Sequence, residues 1–181
     1  MKLLYFQVNV VARKVKKRKP VRIKVVRKLV ERIQYGFDIE DNLGGAFLEI
    51  AEFGELQLLF ADKVPIIMTL KRPKDLGIEE EITFPTLRGI LRWNLEKRWC
   101  AVDRGAIPFL MNGADCMAAG IQIVDPMIEH GDLVWVRDEE HGKPIAVGWA
   151  LMDAETMDKS TKGKSIRTIH WIGDDLWSID K

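Results

Sequence analysis

The sequence predicts an α+β protein of two small domains, an N-terminal α/β domain over residues 1–97 and a C-terminal barrel-like domain over 98–181. Three observations carry this reading. Apolar residues recur at helical spacing in two N-terminal stretches, around Ile23 to Ile33 and Leu87 to Leu95. Between them lie short alternating runs punctuated by turn residues. Beyond Trp99 the pattern changes to many short strands with glycine turns, which read as one compact barrel-like unit.

Leu3 to Val11 alternates loosely and contains Val, Tyr and Phe, so a first strand is expected there. In PVRIKVVRKLVERIQYGF, Ile23, Val26, Val30 and Ile33 fall on one helical face with Leu29, while Arg27, Lys28, Glu31 and Arg32 face away. Pro20 suits a first helical position, where its missing N–H costs little. VRIKV also alternates with period two, but the periodic stretch is too long for a typical strand, and helix is preferred. FLEIAE and ELQLLF flank Phe53-Gly54 as a hairpin, and VPIIMTL follows the turn Ala61-Asp62-Lys63. Lys71 to Glu81 reads as a surface loop. FPTLRGILRWNLEKRW reads as a second helix leading from one half to the other.

Past Trp99 the expected strands are AVD, DCMA, DLVWVRD, PIAVGWALM, SIRTIHWI and LWSI. Within VDRGAIPFLMNGADCMAAGI, Asp103 is an N-cap candidate, Pro108 falls in the first turn, and Gly113 can close the helix in the left-handed conformation. Ala118-Ala119-Gly120 then offers a bare backbone that a large flat partner could approach closely.

Net charge is only +1, yet it is unevenly spread. Arg13 to Arg32 holds eleven Lys or Arg against the single acid Glu31, so the remaining residues carry −9. Such asymmetry points to an anionic partner for one region. The half from Trp99 to Lys181 is acidic, with eight basic and fourteen acidic residues. A charge run is often only a solvated face; +10 over twenty residues favours binding to phosphates, with affinity that falls as salt rises.

Two cysteines, Cys100 and Cys116, are too few for a disulfide framework and lack metal-site spacing; they read as small buried hydrophobes in a reduced setting. The opening MKLLYFQVNVVA does not read as a signal peptide, and no apolar run is long enough to span a membrane. A cytoplasmic protein that does not act on membranes is expected. His130, His141 and His170 are scattered, the acids form no recognisable acid–base pair, and Gly163-Lys164-Ser165 lacks the earlier glycine of a phosphate loop. No catalytic constellation, cofactor or metal site is expected. Trp135, Trp149, Trp171 and Trp177 lie in apolar strand patterns and read as core, and Trp93 and Trp99 as packing at the junction.

The ordered segments VDRGAIPFLMNGADCMAAGI, GDLVWV, AVGWALMDAE and KGKSIRTIHWIGDDLW resemble a PUA domain, the RNA-binding module named for pseudouridine synthases and archaeosine transglycosylases. The resemblance runs from about Trp99 to Ile179. With FPTLRGIL and the basic helix upstream, it narrows to the archaeal and eukaryotic proteins similar to malignant T-cell-amplified sequence protein and to the N-terminal region of ligatin. It implies a small pre-PUA α/β domain followed by a PUA pseudobarrel of about six strands and two short helices.

It further implies RNA held against the first helix, the glycine turn and the last strands. The expected contacts are Gly113, Ala114, Asp115, Met117, Ala119, Gly120, Lys162, Lys164, Arg167 and His170, joined by Lys16, Lys17, Arg18, Lys19, Arg27 and Lys28 of the basic run. Where the family often has Pro-Gly-Ile, this chain has Ala119-Gly120-Ile121, which keeps the glycine and loosens the turn. Eukaryotic relatives act at the small ribosomal subunit with density-regulated protein. The expected function is therefore RNA binding in translation, through rRNA or tRNA. The alternative is an accessory subunit that delivers RNA to a tRNA- or rRNA-modifying enzyme.

Overall fold

A computed structural model describes residues 13–40 and 43–179. The strand expected at Leu3 to Val11 lies outside the described residues. Two sheets follow one another along the chain.

The first sheet is antiparallel, in the order β1 (Val15–Pro20), β2 (Leu48–Phe53), β3 (Leu56–Ala61), β4 (Val64–Lys71) and β5 (Glu81–Pro85). β1 corrects the sequence reading. Lys16 to Pro20 form an edge strand, and the helix α1 (Ile23–Phe37) begins only after Arg22. Pro20 ends the strand instead of opening the helix. A proline is tolerated there because an edge strand has one unpaired side. A bulge between Lys16 and Lys19, with Lys17 at φ 52°, bends this edge. α1 buries Val26, Val30 and Ile33 of the expected face, with Ile23 and Leu29 half-buried, adds Phe37, and ends at Asp38 in the left-handed conformation.

The β2–β3 hairpin turns at Gly54, φ +60°. β3–β4 turns at Asp62-Lys63, where both residues have positive φ, so the turn matches strand twist although neither is glycine. β5 is an additional strand, paired with β4 from Lys71↔Glu81 to Ile67↔Pro85. The helix after it, α2 (Leu87–Trp93), is shorter than expected because Asn94 adopts a left-handed C-cap. Thr86 starts it: its hydroxyl accepts from Gly89 N at 3.1 Å and donates to Pro65 O at 2.7 Å. A β-carbon on Gly89 would stand 2.1 Å from Ile66 O, so the helix lies directly on β4.

The second sheet contains β6 (Trp99–Val102), β7 (Cys116–Met117), β8 (Ile121–Val124), β9 (Leu133–Asp138), β10 (Pro144–Ala150) and β11 (Lys164–Trp171), in the order β7-β11-β10-β9-β6-β8. The β6–β9 pair is parallel and the others antiparallel. Two short helices, α3 (Ile107–Leu110) and α4 (Ala154–Lys159), complete it. β8 was not among the expected strands, and LWSI is a turn, not a strand.

One apolar core joins the halves: Leu133, Trp135, Val147, Trp149 and Leu176 pack with Leu56, Leu58 and Phe84 of the first sheet's cluster. A second core, with Cys100, Cys116, Val134, Val136 and Ile166, is internal to the second sheet. A hydrogen bond with Cys116, and after it burial, push the Cys100 thiol far above its ordinary pKa, as expected of cysteines held as packing groups. Polar contacts tie the same boundary. Arg72 Nε donates to Gly131 O at 3.1 Å, and Arg88 stacks 3.8 Å over the ring of Trp177.

Candidate nucleic-acid interface

The cations of the basic run occupy two consecutive elements. Lys14, Lys16 and Lys19 are exposed in and just before β1, and Arg22, Lys24, Arg27, Lys28 and Arg32 are exposed on and just before α1. None of these eight has an acidic partner among the described residues. Lys17 and Arg18 differ. Lys17 pairs with Glu52 at 2.8 Å, and Arg18 pairs with Glu49 at 2.7 Å while lying 4.1 Å over the Phe60 ring. Of the six cations of the basic run expected at an RNA contact, Lys16, Lys19, Arg27 and Lys28 present a charge without an acidic partner among the described residues. Lys17 and Arg18 chiefly fasten the edge strand.

The second group surrounds the glycine turn. Asp103 accepts from Ala106 N at 2.9 Å and shapes the turn entering α3, although Ala106 occupies the cap position itself. Gly113 has φ +80°, and a β-carbon there would meet the Trp171 ring at 2.7 Å. Gly120 is equally engaged: its carbonyl accepts from Asp103 N at 2.9 Å, and a β-carbon would touch that of Ala106 at 3.0 Å. Both glycines therefore serve internal packing, while each stays half-buried at the surface of the turn. The side chains left facing solvent are Ala114, Met117 and Ala119, beside exposed Phe109 and Met111.

Asp115 is a structural anchor. Its carboxylate accepts from Thr168 N at 3.1 Å and from Lys164 Nζ at 2.9 Å, joining the turn to β11. Lys162 is exposed in the loop before β11. Arg167 points to the first sheet's side of the molecule, where it holds Asp75 at 2.6 and 3.4 Å. That hydrogen bond, with the charge of the guanidinium, holds the Asp75 carboxyl below its ordinary range and raises Arg167.

His170 is only 1% exposed, so it cannot present its ring to RNA, contrary to expectation. Its Nδ1 lies 2.7 Å from Asp174, and its Nε2 is buried with no hydrogen-bond partner among the described residues. Asp174 also accepts from Trp171 N at 3.0 Å and Trp177 N at 2.7 Å, closing the turn at Gly173. The sequence marks Gly173-Asp174-Asp175 as a turn, as an acid straight after a turn glycine signals, but not Asp174 as the anchor that holds it.

The two groups are connected. Arg13 N donates to Asp175 at 3.0 Å, next to the turn that positions Trp171 under Gly113. A groove of about 410 Å³ runs between them, lined by Arg13, Phe53, Thr168, Trp171, Gly173 and Asp175 among others. No cluster of three or more metal-ligating side chains occurs among the described residues, and none of the described helices is long and apolar enough to cross a membrane.

This second sheet, with its packed glycine turn, is that of a PUA domain, and the PUA domain family matches residues 99–172. The whole chain belongs to the wider family of PUA proteins that includes the malignant T-cell-amplified sequence proteins. An uncharacterized protein of Methanocaldococcus jannaschii is 36% identical over 156 residues, 86% of this chain and 92% of that one. Malignant T-cell-amplified sequence 2 of Mus musculus is 30% identical over 132 residues, 65% of this chain and 72% of that one. Translation machinery-associated protein 20 of Saccharomyces cerevisiae is 36% identical over 84 residues, 43% of this chain and 46% of its own length. In structure, a hypothetical protein of Pyrococcus horikoshii superimposes with a TM-score of 0.71 at 27% identity, covering 91% of this chain and 99% of that one.

Proposed function

We propose that the protein binds RNA and works in translation, contacting rRNA or tRNA at the small ribosomal subunit. The observation that carries this is the group of eight solvent-facing cations on and just before β1 and α1, which have no acidic partner among the described residues. They add phosphate contacts to those of the acidic PUA half, where Lys162 is exposed but Lys159, Lys164 and Arg167 are held by Glu155, Asp115 and Asp75. Family membership and the relative named as translation machinery-associated support the setting.

In this reading residues 1–97 supply affinity and residues 98–181 select the RNA by shape and hydrogen bonds. The protein is cytoplasmic, is not an enzyme, and works beside a partner resembling density-regulated protein. Filter binding across a salt series tests the phosphate part: log affinity should fall steeply and linearly with log salt, and a flat line would refute it. Sedimentation of tagged protein tests the setting. Co-migration with small subunits is expected, and recovery with an RNA-modifying enzyme would favour the accessory role instead.

A further inference from the structure

The helix α1 carries one residue that neither the core nor the charge pattern requires. Tyr35 is 90% exposed, the highest exposure of any large apolar or aromatic side chain described, and no hydrogen bond or ring contact engages it among the described residues. The solvent face of an amphipathic helix is ordinarily charged or polar, so core packing does not account for this ring.

Its position is specific. At about 100° per residue, seven residues bring Tyr35 to within about 20° of Lys28, two turns along the same face. Arg32 falls between them, Lys24 lies one turn before Lys28, and Val25, 70% exposed, borders the stripe. The buried Val26, Val30, Ile33 and Phe37 lie on the opposite side, so Lys28 and Tyr35 occupy the centre of the exposed face. Glu31 is the only acid on this face. A cationic row ending in a free aromatic ring offers two chemistries together, charge for phosphates and a π-face for a base.

We propose that this face of α1 binds an unpaired nucleotide of RNA, its base stacked on Tyr35 and its flanking phosphates held by Lys28 and Arg32. The site deepens the RNA-binding reading above and rests on it. It specifies the ligand as single-stranded or looped RNA, because bases inside an A-form duplex are stacked on each other and offer side chains no free face.

The test uses the full chain and two labelled probes: a mixed-sequence RNA of about 12 nucleotides, within the usual single-strand site sizes, and the same strand annealed to its complement. Tyr35→Ala should weaken the single strand about tenfold, leave the duplex unchanged and leave the salt slope unchanged, because stacking releases no counterions. Tyr35→Phe should retain the affinity, since the ring and not the hydroxyl is used. The double variant Lys28→Gln/Arg32→Gln should weaken both probes and reduce the salt slope on the single strand by about 0.7 for each phosphate it no longer neutralises. A weaker double variant with an unaffected Tyr35→Ala would overturn the stacking site and leave the basic-surface reading standing. Full affinity in both would overturn the α1 site, and a flat salt series with the unaltered chain would overturn the basic-surface reading itself. An equal weakening of both probes by Tyr35→Ala would overturn the preference for unpaired bases. Unchanged thermal melting of each variant separates these outcomes from misfolding.

Discussion

Arg167 of β11 grips Asp75 with both guanidinium nitrogens, at 2.6 and 3.4 Å, across the boundary between the two sheets. In the free protein the arginine expected at an RNA face acts as a clasp between the two sheets. The pair is largely exposed, so its consequence is read best in titration and geometry, not in overall stability.

The Asp75 carboxyl should therefore titrate below the ordinary aspartate range, about 3.9. Because its folded pKa is depressed, the pair's stabilisation is present above the unfolded pKa and is lost as pH falls through the folded one. Carboxyl-carbon NMR on Arg167→Gln should show the Asp75 value move up toward the ordinary range. An unmoved titration would mean that the clasp does not form in solution.

Thr86 joins β4 to α2 by two hydrogen bonds at 2.7 and 3.1 Å, with the residue fully buried. Thr86→Val keeps the shape but strands Pro65 O and Gly89 N. The expected cost is about 1–3 kcal/mol in urea unfolding, with an unchanged m-value.

Gly113→Ala should destabilise by a similar amount, about 1–3 kcal/mol, since the methyl collides with Trp171 at a backbone angle unfavourable for any side chain. The near-ultraviolet circular dichroism of the tryptophans should change with it. A silent substitution would show that Gly113 does not pack on Trp171.

At the RNA surface, Lys16→Gln/Lys19→Gln should lower affinity and flatten the salt slope. Lys17→Gln should do less, because Glu52 already neutralises that charge. Around the glycine turn, Ala119→Trp is the informative change: Ala119 faces solvent, so any weakening limited to selected RNAs belongs to recognition. Gly120→Trp, in contrast, drives into Ala106 and should lower the melting temperature as well.

The helical face of α1 was legible because Ile23, Val26, Val30 and Ile33, joined by Leu29, repeat a helical period over a stretch too long for a typical strand. The second sheet was legible through its turns and its ordered motifs. β1 was not, because Lys16 to Lys19 have no apolar alternation; their pairing with Glu52 and Ile50 of β2 imposes the strand from outside. β5 was hidden for the same reason, its pairing with β4 overriding a polar approach. At the site, exposed lysines could be found by counting. The burial of His170 and the capture of Arg167 by Asp75 depend on residues far away or on a turn, and no local pattern announces them.

The bulged β1 edge has a second role that follows from its place in the sheet. Among the described residues its outer backbone groups pair with no strand, and like-charged lysines on a bent strand disfavour edge pairing with another chain. Neutralising those charges, whether by substitution or by bound polyanion, removes the repulsion. The surface proposed to hold RNA thus also disfavours edge-to-edge self-association, most of all when no RNA covers it.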